Sequence, residues 1–491
     1  MRRKGSLLNW HFVLRVLGFI LCVESFFLAL SGLVAYLYQS WDVGYLLFSG
    51  GLSLFIGILL LCFNTKKQAR NIGKRESILA VALSWFTFSL FGMIPFYMSG
   101  VVGSVTDAFF ETMSGLTTTG SSVLTNIDDL PKGIQFWRCL LQWLGGMGMI
   151  LFSLALLPLL GGEAIQLYDA ETTGITHDKF RPRVGQVAKR LWGIYLGLTL
   201  LLGVLLYLGP MDMFDAMCHA FSSVSTGGYS TRQASIAYWD SMYVNYVITL
   251  FMIMGSVNFT LFYFLFKGNF GRIRKDEELR WYLVVIFSLT LVVSIYLACK
   301  GYFGSYGESL HATIFQIVSV ISTTGFTTVN YVSWESFYWI VFLLMMVVCG
   351  CAGSTSGGMK MIRLVVLAKN TNNEFKKQLH PRAIIPVRVN GAALSNDVVQ
   401  RVMSFVFLYI SIILFSWLFL ALMGMEFDDA LGASISSLSN AGLGLGQTGM
   451  SGTLAHAPDI CKWYMSFLMI VGRLELFTIL ILFTPGFWKK M

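Results

Sequence analysis

A seven-residue phrase ending in glycine is written four times in this chain: SGLTTTG at Ser114–Gly120, SSVSTGG at Ser222–Gly228, SVISTTG at Ser319–Gly325 and SSLSNAG at Ser436–Gly442. Each copy opens on serine and places hydroxyl, amide or small residues before a final glycine, whose backbone bends freely. Serine, threonine and asparagine side chains compete for backbone hydrogen bonds, so the phrase fits poorly into a plain membrane helix. Yet every copy lies between apolar runs of the length that crosses a hydrocarbon core, about 20 residues. Non-helical backbone at membrane depth is tolerated only where protein buries it or where it lines a water-filled cavity. The four copies are therefore read as surrounding one axis, where their backbone carbonyls coordinate a cation.

The surrounding composition agrees with a polytopic membrane protein: 55% of the 491 residues are hydrophobic and only 12% are charged, and the mean hydropathy is +0.67. No sizeable soluble domain remains. The net charge of +9 reflects topology and gives no reason to expect nucleic acid as a partner. Basic residues concentrate in alternate connections, at Arg2–Lys4, Lys66–Arg75, Lys179–Arg190, Lys267–Arg280, Lys369–Arg401 and Lys489–Lys490. The intervening connections hold only Lys132, Arg138, Arg232, Lys300 and Lys462 against a larger number of acids, including Asp107, Asp215, Asp428 and Asp429. The positive-inside rule then places both termini in the cytoplasm and all four phrases on the outer side. A net-negative entrance raises the local cation concentration. The apolar run Phe12–Tyr38 is too long for a signal peptide and is read as a retained helix. The eight cysteines form no ligand or disulfide framework and read as helix packing.

Taken in order, residues 1–75 supply two N-terminal transmembrane helices, near Phe12–Tyr38 and Tyr45–Phe63. Four units of span, short half-helix, phrase and span follow, with boundaries at 76–190, 191–280, 281–397 and 398–491. The paired spans are Ser77–Met98 with Phe136–Leu160, Leu191–Leu208 with Tyr243–Phe266, Trp281–Ala298 with Phe337–Leu367, and Val402–Leu422 with Trp463–Phe483. The half-helices are about 11 residues long and reach roughly 16 Å, too short for a core of about 30 Å, so they re-enter from outside. Counting back thirteen positions from each final glycine lands on Asp107, Asp215, Ala312 and Asp429. An acid there is read as starting the helix, capping its free N–H groups. The negative ends of the half-helices then point at the phrases.

The second span of the third unit is interrupted by Gly350, Gly353, Gly357 and Gly358, with Ser354, Thr355 and Ser356 between them. Helix propensity collapses in such a run, which leaves either a loop in mid-membrane or a small-residue helix contact. Arg473 lies deep within the last apolar span, where a charge is costly and usually functional; an ion pair with a neighbouring helix is the structural alternative. Glu475, two positions on, faces elsewhere. Lys360 ends the glycine stretch and is read as gate-associated, with the reach to snorkel to the cytoplasmic face.

These residues resemble the superfamily of potassium transporters of Trk/Ktr/HKT type, and within it the bacterial TrkH family. Beyond the four phrases, the resemblance rests on QWLGGMGMI (Gln142–Ile150), LPLLGGEAIQLYDAET (Leu157–Thr172), CGCAGSTSGGMKMIR (Cys349–Arg363), HPRAIIPVRVNG (His380–Gly391) and GRLELFT (Gly472–Thr478). It implies an all-α polytopic protein with four span, pore-loop, span repeats around one pore, plus two extra N-terminal helices. Gly120, Gly228, Gly325 and Gly442 would be the selectivity-filter glycines. The transported K+ would be held by backbone carbonyls of Thr118, Thr119, Gly227, Gly228, Thr323, Thr324, Asn440 and Ala441. A serine at the first of the four glycine positions accompanies sodium permeation in this superfamily; Gly120 therefore favours potassium. Asn440 and Ala441 depart from the hydroxyl pattern of the other copies. The resemblance also makes the Gly350–Gly358 stretch an intramembrane gate and Arg473 a fixed positive charge in the pore.

The expected function is potassium uptake across the bacterial inner membrane. The expected partners are the lipid bilayer, a second copy in a homodimer and a cytosolic TrkA-type nucleotide-binding ring. The chain itself carries no phosphate-binding glycine motif for nucleotide sensing. A sodium- or proton-coupled potassium symporter is the alternative, with Glu24, Asp107 and Glu475 as coupling candidates. A membrane-embedded enzyme would have to use His177, His219 or His311, none in a metal-binding spacing.

Overall fold

The computed structural model describes residues 8–62, 73–160, 184–445 and 453–489. Two helices, α1 (Trp10–Leu37) and α2 (Val43–Cys62), pack along one another first. Their backbones come close where Gly18 meets Gly57: a Cβ on either would stand 2.9 Å from the other's carbonyl oxygen. Small residues at a crossing of this kind let membrane helices approach closely. Next come α3 (Lys74–Gly92), α4 (Ile94–Met98), the half-helix α5 (Val105–Leu116) and α6 (Lys132–Leu160). A second set comprises α7 (Val184–Tyr207), the half-helix α8 (Met213–Val224), α9 (Met242–Ser256) and α10 (Phe259–Phe266), with the short α11 (Phe270–Lys275) leading out of it. The third set is α12 (Glu277–Cys299), the half-helix α13 (Tyr306–Ile321), α14 (Ser336–Val348) and α15 (Met361–Leu379). A two-residue hairpin, β1 (Arg388–Val389) with β2 (Ala392–Ala393), leads to the fourth. That set is α16 (Asn396–Leu422), the half-helix α17 (Phe427–Ser439), α18 (Asp459–Arg473) and α19 (Leu476–Leu480), and α20 (Pro485–Trp488) follows it.

The architecture is an all-helical polytopic membrane protein. Among the described residues six helices are long and apolar enough to span a bilayer, and two bent pairs raise the number to eight. Their outer faces carry large apolar side chains such as Phe26, Phe55, Phe287 and Phe407, all well exposed, as a lipid-facing surface requires. The half-helices are the reverse: every residue from Ala108 to Leu116 is buried, Glu111, Thr112 and Ser114 included. Some of their hydroxyls are satisfied within the helix, Thr112 donating to the Ala108 carbonyl at 2.8 Å and Ser223 to that of His219 at 2.6 Å, whereas Ser114 and Ser319 donate out of it to the Ser121 and Phe326 carbonyls, both at 2.6 Å.

Two expectations about these helices need correction. The acids thirteen positions before the glycines do not cap. Ser104 and Asp212 do, accepting from the N–H groups of Asp107 and Asp215 at 3.0 and 2.7 Å, so the acids sit in the first turn beside the positive dipole end. In the third set the helix begins earlier and runs 16 residues. Ala312 is therefore internal, and Glu308 takes the first-turn place above the Ser305 cap. Second, the spans expected over Tyr243–Phe266 and Trp463–Phe483 are not straight. They bend by 102° after Ser256 and by 117° after Arg473.

The bases assigned to the outer connections also do more than balance charge. Arg138 and Lys462 are buried counter-ions, Arg138 to Glu111 at 2.8 Å and Lys462 to Asp107 at 2.7 Å, while the half-exposed Arg232 reaches Asp215 at 3.0 Å. Glu111 further accepts from Ser122 Oγ and the Val123 N–H. The Arg138 guanidinium lies 4.1 Å from the centre of the Tyr229 ring, and the Tyr229 hydroxyl donates to the Glu111 carbonyl at 3.0 Å. One buried cluster thus ties the first half-helix to the outgoing strand of its own phrase and to the segment after the second phrase. Removing one member of such a buried pair strands the other charge, at a cost of about 3–5 kcal/mol. Glu111→Ala should therefore lower the melting temperature of the detergent-purified protein, followed by tryptophan fluorescence. Glu111→Ala combined with Arg138→Met should recover part of the loss. A single variant as stable as the parent would remove the pair from the account of how the half-helix is held.

Candidate ion-conducting site

The four phrases repeat one backbone conformation. Gly120, Gly228, Gly325 and Gly442 all have positive φ, at 87°, 79°, 88° and 71°. Two residues earlier Thr118, Thr226, Thr323 and Asn440 also lie in the left-handed region, at 55°, 55°, 58° and 54°. The cost of holding a threonine there is on the order of 1 kcal/mol or more; four such residues in register mark a built feature. Each phrase is pinned by its opening serine. The Ser114 carbonyl accepts from the N–H groups of Thr119 at 2.9 Å and Gly120 at 3.4 Å, and the Ser222 and Ser319 carbonyls take the equivalent pairs. The Ser436 carbonyl takes the Ala441 N–H at 3.1 Å. With the N–H groups turned back to the helix end, the phrase carbonyls are free to face elsewhere.

The same glycines close a ring. A Cβ on Gly120 would strike the Gly227 carbonyl oxygen, one on Gly228 the Thr324 oxygen, one on Gly325 would stand 2.9 Å from the Ala441 oxygen, and one on Gly442 would strike the Thr119 oxygen. In each case the oxygen belongs to the residue just before the next phrase's glycine, and the fourth phrase returns to the first. The structure thus brings Thr118, Thr119, Gly120, Gly227, Gly228, Thr323, Thr324, Gly325, Asn440, Ala441 and Gly442 together. A cavity of about 20 Å³ opens beside the ring between the first and fourth phrases, lined by Ser121, Ser122, Ser436 and Gly442. That is room for about one water-sized sphere.

Behind the ring, Gly145, Gly255 and Gly472 allow the second spans to touch the ends of the half-helices. A Cβ at Gly145 would strike the Leu116 carbonyl, one at Gly472 that of Leu438, and one at Gly255 would stand 3.1 Å from that of Val224. Leu116, Val224 and Leu438 each lie four residues before a ring glycine. Two of these three spans break just beyond the contact, after Ser256 and after Arg473, and the third set leaves helix altogether over residues 349–360.

That stretch packs directly against the ring. The Gly357 N–H donates to Thr323 Oγ1 at 3.0 Å, Thr355 Oγ1 donates to the Val224 carbonyl at 3.0 Å, and a Cβ on Gly357 would strike the Ser439 carbonyl. Gly350 abuts Ser256, Gly353 abuts Asn258, and Gly358 lies over Cys349. The Glu278 carboxylate of α12 accepts the Ala352 and Ile362 N–H groups at 2.8 and 3.0 Å, holding both ends of the loop. Arg473 is 1% exposed. It donates to the Thr355 carbonyl at 2.7 Å and the Gly145 carbonyl at 3.1 Å, and neither partner is a carboxylate. The alternative of an ion pair with a neighbouring helix is therefore not what the structure contains. Glu475 pairs instead with Arg363, at 2.8 Å. Lys360 does not snorkel: it is 5% exposed and its ammonium donates to the Ser356 carbonyl within the loop.

The residues proposed for coupling do not converge. Asp107 is engaged by Lys462 at the start of the first half-helix, and Glu475 by Arg363 beyond the last bend. Glu24 is buried in α1 beside Gly92, with neither carboxylate oxygen bonded. His219 is a packed core residue bonded to the Asp215 carbonyl and Ser230 Oγ, and His311 contacts Asn245. His177 and the connection over 161–183 lie outside the described residues.

Three ring neighbours escaped the sequence reading. Thr226 shares the left-handed position but is hidden because the second phrase reads STGG. Gln142 donates to the Gly227 carbonyl at 2.7 Å and accepts from the Tyr229 N–H at 3.0 Å; it stands in the QWLGGMG run, which carried no chemistry of its own. Gly255 lies inside a run read as one straight span and had no sequence signal to announce it.

Comparison with known proteins agrees with this geometry. Residues 47–490 match the TrkH family, described as cation transport protein. The Trk system potassium uptake protein TrkH of Escherichia coli K12 is 35% identical over 98% of this chain and 100% of its own length. TrkH of Vibrio parahaemolyticus is 37% identical over the same shares, and TrkI of Halomonas elongata is 33% identical over all of this chain and 99% of its own. The crystal structure of the potassium transporter TrkH from Vibrio parahaemolyticus superposes with a TM-score of 0.90, at 35% identity over 98% of this chain and 100% of that one. The chain belongs to the TrkH family of cation transport proteins, which are membrane transporters and not enzymes.

Proposed function

We infer that the chain carries potassium into the cell across the bacterial inner membrane, through a pore whose narrowest part is the ring of four phrases. The observation that carries this reading is the closure of the ring, each glycine seated on the carbonyl before the next. Four backbone segments held around one axis offer oxygens in place of an ion's hydration shell. The half-helices aim their C-terminal dipole ends at the same point, favouring a cation. The coordinating oxygens are assigned to Thr118, Thr119, Gly227, Gly228, Thr323, Thr324, Asn440 and Ala441, with Thr226 added from its conformation. Gly227 is a partial case, since Gln142 already donates to its carbonyl, so the coordination is asymmetric.

The loop over 349–360, with Gly350, Gly353, Gly357, Gly358, Lys360 and Arg473, is assigned as the gate. A monovalent cation passing about 8 Å from the fixed guanidinium, at an effective dielectric of about 20, meets a barrier of about 2 kcal/mol. That slows passage on the order of thirtyfold. Movement of the loop would carry away Thr355, to which Arg473 is bonded. The charge asymmetry supports both termini lying in the cytoplasm, where the basic connections would receive a nucleotide-binding ring of the TrkA type; a homodimer would complete the assembly. The five-part division of the chain at 75, 190, 280 and 397 is retained as the plan of the pore.

Potassium and sodium flux into vesicles holding the purified protein tests the reading: potassium should pass in preference, and equal flux of both ions would overturn it. Gly120→Ser should raise sodium relative to potassium and lower total flux, because the new Cβ meets the Gly227 carbonyl. Gly442→Ala should abolish flux, whereas Gly391→Ala, also at positive φ but with open space around it, should cost about 1 kcal/mol of stability and leave flux intact. Arg473→Ala should raise flux on the order of thirtyfold in vesicles lacking any regulatory partner; flux at or below the parental level in a protein that melts normally would contradict the gate assignment.

A further inference from the structure

We propose that the groove between α7 and α10 is a binding site for one anionic glycerophospholipid, its phosphate on Arg190 and Lys267 and an acyl chain laid over Gly193 and Gly197. The 102° bend after Ser256 turns α10 against the lower part of α7 and leaves a groove of about 390 Å³, lined by Arg190, Gly193, Gly197, Leu201, Tyr263 and Phe266. Unlike Gly145 or Gly472, whose missing side chains make room for backbone, Gly193 and Gly197 face open space: a Cβ on either meets no atom within 4 Å. Nothing in the described protein uses the room they leave.

The charge at the groove's mouth selects the occupant. Arg190 Nη1 donates to the Tyr263 hydroxyl at 2.8 Å, its guanidinium is 5.3 Å from that ring's centre, and the Lys267 ammonium is 4.9 Å from the same centre. Lys189 is exposed beside them. Among the described residues no carboxylate pairs with Lys189, Arg190 or Lys267. Two cations gathered on one ring repel unless an anion joins them, and a guanidinium matches a phosphate in geometry and charge. Basic residues at the end of membrane spans attract anionic headgroups, each contributing to affinity near the surface. The apolar part has the matching length: the eleven steps from Arg190 to Leu201 rise about 17 Å, roughly half of the 30 Å hydrocarbon core and so one leaflet. A zwitterionic lipid would bring its own ammonium to the arginine, and a soluble phosphate would leave the apolar groove unused.

The proposal rests on the membrane-spanning reading of α7 and α10 but is read on bound mass, so a failure of potassium flux would not count against it. The full-length protein, purified in detergent, is titrated with phosphatidylglycerol or phosphatidylcholine and followed by native mass spectrometry. Phosphatidylglycerol should remain bound and phosphatidylcholine should not. Arg190→Gln with Lys267→Gln should weaken phosphatidylglycerol on the order of tenfold, and Gly197→Leu, which fills open space and favours the helix, should weaken it comparably. Gly51→Leu, on the exposed face of α2 and equally open, should change nothing. Equal retention of the two lipids, binding by glycerol phosphate as tight as by the intact lipid, or parental binding in either groove variant would each overturn the proposal. So would a Gly197→Leu protein that keeps its lipid but loses a partner copy, which would make the groove a self-interface.

Discussion

A backbone carbonyl inside a membrane must find a partner, and this structure is arranged around four places where the helical partner is withheld. At each half-helix end the opening serine's carbonyl collects N–H groups of the phrase, two in the first three copies and that of Ala441 in the fourth, and the next oxygens are left facing their neighbours. Glycine at the end of the phrase follows from contact as well as from conformation, because the space a Cβ would occupy is filled by the preceding carbonyl of the next phrase. The ring therefore specifies itself: one phrase cannot shift without pressing on the next, and the last presses on the first.

The same constraint explains the breaks in the second spans. Three glycines let those spans lie against the half-helix ends, and the spans then bend or unwind where polar backbone is needed on the inner side of the ring. Unpaired groups from those breaks are taken up by one another. The N–H groups of Cys351, Phe259 and Thr355 donate to the carbonyls of Ser256, Gly353 and Gly255. Arg473 closes the arrangement by reaching both Thr355 and Gly145. A guanidinium is suited to this because its donors are fixed in a plane and it stays charged. A carboxylate partner would neutralise it, and the nearest in sequence, Glu475, is occupied by Arg363.

Much of this was legible in the sequence because the information repeats. The phrases, the short preceding helices and the alternating charge of the connections each occur several times, so chance resemblance in one copy is corrected by the others. What was not legible depends on single contacts. Arg138 counts as an outer-loop base until Glu111 is seen opposite it, because the phrase and its outgoing strand stand between the two helices in sequence. Capping was assigned to Asp107 and Asp215 because acids suit helix starts, yet the cap lies three residues earlier, on Ser104 and Asp212. The bends after Ser256 and Arg473 interrupt segments whose averaged hydropathy still reads as one span, so a window of composition does not report them. Lys360 looked long enough to reach water, but the loop folds its own Ser356 carbonyl over it.

The four copies are alike in backbone and unlike in side chain, and the differences fall where a symmetric ring would be least constrained. In the second phrase Gly227 lacks a side chain, and Gln142 from α6 occupies the space and binds its carbonyl. In the fourth, Asn440 replaces a hydroxyl residue and uses its amide to reach both Thr119 Oγ1 and the Met469 carbonyl, at 3.0 and 2.9 Å. In the first and third, hydroxyl pairs brace the strand, Thr117 with Thr119 at 2.8 Å and Ser322 with Thr324 at 2.7 Å. Covalent linkage of four units in one chain permits this, since each copy can evolve its own brace while the carbonyl positions are kept by glycine contacts that tolerate no side chain. The oxygens proposed to bind the ion belong to the part of the structure that depends least on which side chains surround it, and most on the four places where there is none.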